Sequence, residues 1–178
     1  MEFKRPGRSR VEIQFAGQTA VQVYNGTNGW KLRPFLNRHD VESFTPAEQR
    51  TAALESDFEG PLVNYRAKGS RVELLGTEKV EGHDTYKIKL TKKSGEVQQF
   101  WIDGLTFLEV KMQGVPRHMD GKMRETEVYF RDFRRVEDIE IPFETETVIP
   151  SLRDRHKIIL ESAIVNPKID DSRFTKLR

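Results

Sequence analysis

Apolar and polar residues alternate with a period of two over most of this chain. Val11, Ile13 and Phe15 are separated by Glu12 and Gln14, and after Ala16-Gly17-Gln18 the rhythm resumes with Val21 and Val23 around Gln22. Successive side chains of a strand point to opposite faces, so this spacing predicts a strand, a glycine-containing turn and a second strand. Asn25-Gly26 and Asn28-Gly29 signal further turns, and Trp30 restarts a strand.

From Arg71 the rhythm becomes regular. Arg71–Gly76 leads to the turn Glu81-Gly82-His83-Asp84, after which Tyr86, Ile88 and Leu90 alternate with Lys87, Lys89 and Thr91. Ser94-Gly95 and Gly104 turn the chain on either side of Val97–Asp103, and Leu108, Val110 and Met112 follow. Met123–Val136 reads as one long strand, Ile141–Ile149 as another and His156–Val165 as the last. Short strands joined by tight turns predict an antiparallel meander, with one side of the sheet facing water wherever a strand has a polar face.

One segment breaks the pattern. Thr45-Pro46-Ala47-Glu48 combines an N-cap threonine, a proline at the first helical position and a glutamate at the third, which is a capping box. Ala47, Ala53, Leu54 and Phe58 continue an apolar side until Glu59-Gly60-Pro61, so a helix is expected over 46–58.

At 178 residues the chain suits one domain, 1–178, large enough to bury roughly 70% of its unfolded surface without a metal or disulfide. It contains no cysteine, which removes thiol nucleophiles, thiolate metal sites and redox motifs. Thirty basic against 28 acidic residues is near balance; the ends are basic and the middle is net negative, which argues against a dedicated nucleic-acid binder. No apolar run approaches the roughly 18 residues of a spanning helix, and Met1–Arg10 lacks the apolar core of a signal peptide.

Motifs for chemistry are sparse. His39, His83, His118 and His156 form no metal-ligand spacing, and neither phosphate-binding glycine pattern is present. No serine sits in a G-x-S-x-G elbow. Glu125 with Glu127, and Glu144 with Glu146, share strand faces, but such pairs belong more often to a wet sheet surface than to acid–base catalysis. No cofactor, metal site or catalytic residue is expected. What the sequence does carry is large apolar groups on both faces of some strands: Phe100-Trp101-Ile102, and Val128-Tyr129-Phe130 with Phe133. A sheet must cover an apolar face, and with one short helix to do so a pocket lined by aliphatic and aromatic groups is one outcome. An ordinary filled core is the other.

Several stretches together resemble the outer-membrane lipoprotein-sorting family with the LolA/LolB-like fold. Phe3–Ile13, Tyr24–Trp30, Asp57–Tyr65, Leu74–Leu90, Phe100–Lys111 and the closing Asn166–Phe174 occur in the family's order. The resemblance implies a mainly β fold: an antiparallel meander curled into an incomplete, half β-barrel, its concave face covered by short helices. It also implies a periplasmic, non-enzymatic protein that carries a lipid or lipoprotein acyl chain, handed between membrane-bound donor and acceptor proteins. A signal sequence, an N-terminal helix and a first strand are then expected to precede this chain. The alternative of the same fold is a periplasmic protein-binding or sensor module without lipid cargo.

Carriage needs no catalyst. An acyl chain of about 14 carbons exposes roughly 11 kcal/mol of methylene surface to water, which an apolar lining must offset while still permitting release. The residues expected to line the cavity are Val11, Ile13, Phe15, Val21, Val23, Tyr86, Ile88 and Leu90, with Leu54 and Phe58 on a covering helix; Gly60-Pro61 after it is either its hinge or, more simply, a plain turn. At the far end, Ile164 and Val165 are expected to finish the last strand, with Ile169 and Phe174 clasping the tail onto the body.

Overall fold

In the computed structural model, which describes residues 1–56 and 59–177, the period-two segments form antiparallel strands that divide between two compact units, residues 1–63 with 167–178 and residues 64–166. The protein is mainly β and no sheet closes into a barrel, in keeping with an incomplete barrel and one short α-helix among the described residues.

The first unit holds β1 (Glu2–Lys4), β2 (Arg8–Phe15), β3 (Gln18–Tyr24), β4 (Gly29–Arg33) and β5 (Arg38–Ser43), hydrogen-bonded in chain order. Ala16 and Gly17 both adopt positive φ, the two-residue turn whose twist suits a hairpin, and it sets Phe15 opposite Gln18. Counting outward, Ile13 faces Ala20 and Val11 faces Gln22, whereas Val21 and Val23 face Glu12 and Arg10. Directly opposed residues share a sheet face, so Val11, Ile13 and Phe15 lie on one side and Val21 and Val23 on the other.

The side bearing Val21 and Val23 carries this unit's core. Phe174, 1% exposed, packs on both valines, with Trp30, Ile169 and Leu177 around them. Asp170 starts the short turn Asp171–Phe174 by accepting from the Ser172 N–H at 2.8 Å. Ion pairs fasten it: Arg173 to Glu2 at 2.7 Å and Glu12 at 3.2 Å, and Asp171 to Lys4 at 2.6 Å and Arg8 at 2.9 Å. The tail clasp therefore exists, built on Phe174 and Ile169.

The helix α1 spans Pro46–Glu55 and begins with the expected capping box: the Glu48 N–H donates to Thr45 Oγ1 at 3.3 Å and the Thr45 N–H to Glu48 Oε2 at 2.8 Å. It turns Ala52 inward and leaves Ala47, Ala53 and Leu54 exposed, because Glu48 is drawn to the buried Lys31 of β4 (Nζ–Oε2 2.6 Å) and fixes the helix rotation. Phe58 lies outside the described residues.

The second unit holds β6 (Arg71–Val80), β7 (His83–Thr91), β8 (Val97–Asp103), β9 (Glu109–Gln113), the small hairpin β10 (Arg117–Met119) and β11 (Lys122–Arg124), then β12 (Glu127–Val136), β13 (Ile139–Ile149) and β14 (Asp154–Ile159). Seven of them make one sheet, ordered β14-β13-β12-β9-β8-β7-β6, whose edges do not pair. The long strand expected from Met123 is divided between β11 and β12. The last strand stops short of its expected end. Leu160 still donates to the Phe143 carbonyl, but residues 161–166 leave the sheet and Ile164 is 77% exposed.

Candidate functional site

The large sheet has two chemically distinct faces, and its register shows how they arise. Lys87, Trp101, Lys111, Tyr129, Glu146 and Lys157 stand directly opposite one another across six consecutive strands. Cations alternate with aromatic rings along this row. The Lys87 and Lys111 Nζ atoms lie 4.8 and 4.6 Å from the Trp101 ring centre, Lys111 lies 5.1 Å from the Tyr129 ring, and the Arg131 guanidinium lies 5.2 Å from it. Each such contact favours the cation through the ring's quadrupole.

Carboxylates complete the network. Glu127 takes Lys111 Nζ at 2.8 Å and the Tyr129 hydroxyl at 2.7 Å. Arg131 reaches Glu81 at 2.6 Å, Glu144 at 3.2 Å and Glu146 at 3.0 Å. Burial acts to lower the Lys111 pKa, but the bonds from Glu127 and Tyr129 outweigh it and hold the ammonium charged. Arg131, chiefly through its bond to Glu81, is held more firmly cationic still, and it keeps Glu81 below the ordinary carboxylate range. The Trp101 Nε1 sits near enough to Glu78 to help lower that carboxyl's pKa, after Lys87, yet it lies outside bonding geometry and is a buried donor without a hydrogen-bond partner among the described residues.

This face is the inside of a roll. Four strand spacings, roughly 19 Å in a flat sheet, separate β6 from β12, yet the β6–β7 turn residue Glu81 pairs with Arg131 of β12. The curl leaves a cavity of about 190 Å³ lined by Glu78, Lys79, Val80, Glu81, Lys111, Tyr129, Arg131, Val148 and Arg155. Its volume is below the usual ligand-pocket range of roughly 300–1,000 Å³ and six of its nine lining residues are charged. It is a paired polar core, unsuited to an acyl chain.

The other face is apolar. Leu74, Ile88, Phe100, Met112 and Val128 form one cross-strand row, Val72 and Leu90 a second, and Tyr86 with Ile102 a third. Leu90 and Phe100 are buried; Leu74 is 61% and Tyr86 39% exposed. Phe107 stacks on Tyr86 with centroids 6.5 Å apart and remains 70% exposed. It is presented by a turn in which Asp103 Oδ1 accepts from Leu105 N at 3.0 Å, Thr106 N at 2.8 Å and Thr106 Oγ1 at 2.9 Å. Phe107 itself has φ of +59°, a left-handed conformation uncommon for an aromatic residue.

The residues expected to line a cavity are thus distributed. Tyr86, Ile88 and Leu90 lie together on the apolar face of the large sheet. In the first unit Ile13 and Phe15 are exposed and Val11 half-buried on one face, where Phe15 meets Phe35 edge-on at 5.9 Å; Val21 and Val23 are buried on the opposite face under Phe174. Leu54 is exposed on α1. The charged ladder went unread in the sequence because its members are single residues on six strands, aligned only by register. Among the described residues no cluster of three or more His, Asp or Glu is placed to hold a metal, and no helix is long and apolar enough to cross a membrane.

Comparison with known proteins adds the following. A family model described as "Uncharacterized protein" matches residues 16–178. The curated proteins contain no match. A DUF1329 family protein from Desulfovibrio piger superposes with a TM-score of 0.58 at 16% identity, covering 88% of this chain and 68% of that one. A domain described as an outer membrane lipoprotein-sorting protein, from Vibrio parahaemolyticus, gives 0.53 at 13% identity, covering 87% and 68%. A LolA superfamily protein from Nitrosomonas europaea gives 0.48 at 14% identity, covering 95% and 86%. The first two likenesses establish a shared fold, the one that the sequence motifs resemble.

Proposed function

The chain belongs to the family whose model matches residues 16–178, and from this premise and the shared fold we propose that it is a non-enzymatic periplasmic carrier of lipid or lipoprotein acyl chains. The acyl chain lies on the apolar face of the large sheet, along Leu74, Tyr86, Ile88 and Ile102. The observation that carries this reading is the exposure of Leu74, Tyr86 and Phe107 beside the buried Leu90 and Phe100. Contiguous apolar surface of this kind marks an interaction site, and each methylene covered contributes about 0.8 kcal/mol. The opposite face cannot serve, since its cavity is small and charged. In the first unit Val21 and Val23 are occupied by the tail, while Ile13 and Phe15 are exposed. Membrane-bound proteins would deliver and accept the cargo.

Native mass spectrometry and lipid extraction of the purified protein test this, together with displacement of a fluorescent fatty acid. Co-purified lipid and a displaceable probe are expected, with Ile88→Asp abolishing both. A protein that carries no lipid and takes up no probe would end the carrier reading.

A further inference from the structure

We propose that Glu109 is a headgroup site on the apolar face of the large sheet, taking the primary ammonium of an aminated lipid. This rests on the acyl-binding reading of that face and adds the chemistry of the cargo.

The argument begins with a β-bulge. Trp101 pairs with Lys111, but the next residue of β8, Ile102, pairs with Glu109, so β9 spends two steps where β8 spends one. In a regular strand Glu109, two residues before Lys111, would share its face and enter the charged ladder. The bulge re-aims it. Its register partner Ile102 belongs to the apolar row with Tyr86 and Thr77. Consistently, Glu109 makes no hydrogen bond or ion pair among the described residues, although Lys111 and Arg131 are close in sequence and sheet. Burial alone pushes its carboxyl up to about 7.

A carboxylate in apolar surroundings is costly until a cation or hydrogen-bond donor meets it. The carboxylates of Glu78, Glu81, Glu127, Glu144 and Glu146 on the charged face each have such a partner, whereas Glu109 on the apolar face has none among the described residues. Glu109 is only half-buried, so a cation arriving from solvent can reach it, on a molecule whose remainder suits Tyr86 and Ile102. An ammonium attached to an alkyl chain meets both requirements. A carbonyl headgroup would need the carboxyl protonated and would leave no charge compensation. In register, the groups facing Glu109 are Ile102 on β8, Tyr86 on β7 and Thr77 on β6, none of them a carboxylate, histidine or lysine.

The test compares dodecylamine with dodecanol, both below their micellar concentrations, as displacers of the fluorescent fatty acid. At pH about 8 the amine should bind about tenfold more tightly to the native protein. The preference should vanish at pH about 5.5, where the carboxyl is protonated, and in Glu109→Gln. Equal binding at pH about 8, or a preference that survives the substitution or the acidification, would overturn the assignment while leaving the acyl-binding face intact. Failure of both probes to displace a fatty acid that does bind would likewise overturn the assignment, whereas the absence of any fatty-acid binding would overturn the acyl-binding reading itself. The native protein's pH series decides the matter even if Glu109→Gln does not fold.

Discussion

Arg131 Nη2 lies 2.6 Å from Glu81 Oε1, although β9 and β8 stand in the sheet between β12 and the β6–β7 hairpin. The pair measures how far the sheet has rolled. The same guanidinium donates to Glu144 and Glu146, so one side chain ties the β6–β7 turn to β12 and β13.

Replacing Arg131 with Met keeps apolar volume and removes every one of these bonds. Glu146 is buried and retains Arg155 at 3.4 Å, so its charge is only partly compensated. Breaking such a pair from one side costs about 3 kcal/mol. Urea unfolding should show that loss, and amide exchange at Glu81 and Gly82 should quicken selectively. Unchanged exchange in the turn would mean that the roll holds without Arg131.

The tail offers a second test. Phe174 is among the most buried large side chains and seats on Val21 and Val23. Phe174→Ala should destabilise by about 3–5 kcal/mol through lost burial and the cavity left behind, lowering the melting temperature. The ion pairs of Arg173 and Asp171 are exposed and contribute little alone. Arg173→Ala should therefore shift the melting point far less. Comparable shifts for the two substitutions would place the clasp in its charges instead of its ring.

These contrasts show what the sequence made legible. Thr45, Pro46 and Glu48 announced the helix because a capping box is a local signal, complete within four residues. Strands were equally plain, since alternation is local too. Faces were harder. Whether Val21 shares a side with Ile13 depends on the length of the turn between them, and the two-residue turn at Ala16-Gly17 sends them to opposite sides. That turn could have been counted from the sequence. The bulge at Glu109–Lys111 could not, because nothing in Glu-Val-Lys marks the extra residue, and with it went the separation of Glu109 from the ladder. The roll that brings Glu81 to Arg131 is a property of seven strands together and left no trace in any one of them.

The turn carrying Phe107 depends on Asp103. Its Oδ1 accepts three bonds, first from the Thr106 and Leu105 amides, and these hold its carboxyl below the usual range. Asp103→Ala should free the turn, accelerating amide exchange at Leu105 and Thr106 and weakening fatty-acid uptake as Phe107 leaves Tyr86. Asp103→Asn retains an acceptor oxygen and should preserve most of the protection. If alanine leaves exchange at both amides unchanged, the backbone alone holds the turn.

Acid stability should depend on Glu48. Hydrogen bonds from Lys31, then from the Thr45 amide, lower its carboxyl pKa from 4.5 to about 2. A depressed folded-state pKa means that the folded protein binds its proton less readily than the unfolded chain. The resulting stabilisation is fully present above pH 4.5 and is lost as the pH falls through about 2. Glu48 is partly exposed, so solvent screening reduces the effect below what the shift alone would suggest. Glu48→Gln keeps a side chain able to close the capping box but removes the charge opposite the buried Lys31. The variant should be less stable than the native protein at pH about 6, and the gap should narrow steadily as the pH drops toward 2. Urea midpoints measured for both proteins across that range check the sign. A gap that stays constant with pH would show that Glu48 stabilises α1 through hydrogen bonding that glutamine cannot reproduce, and not through its charge.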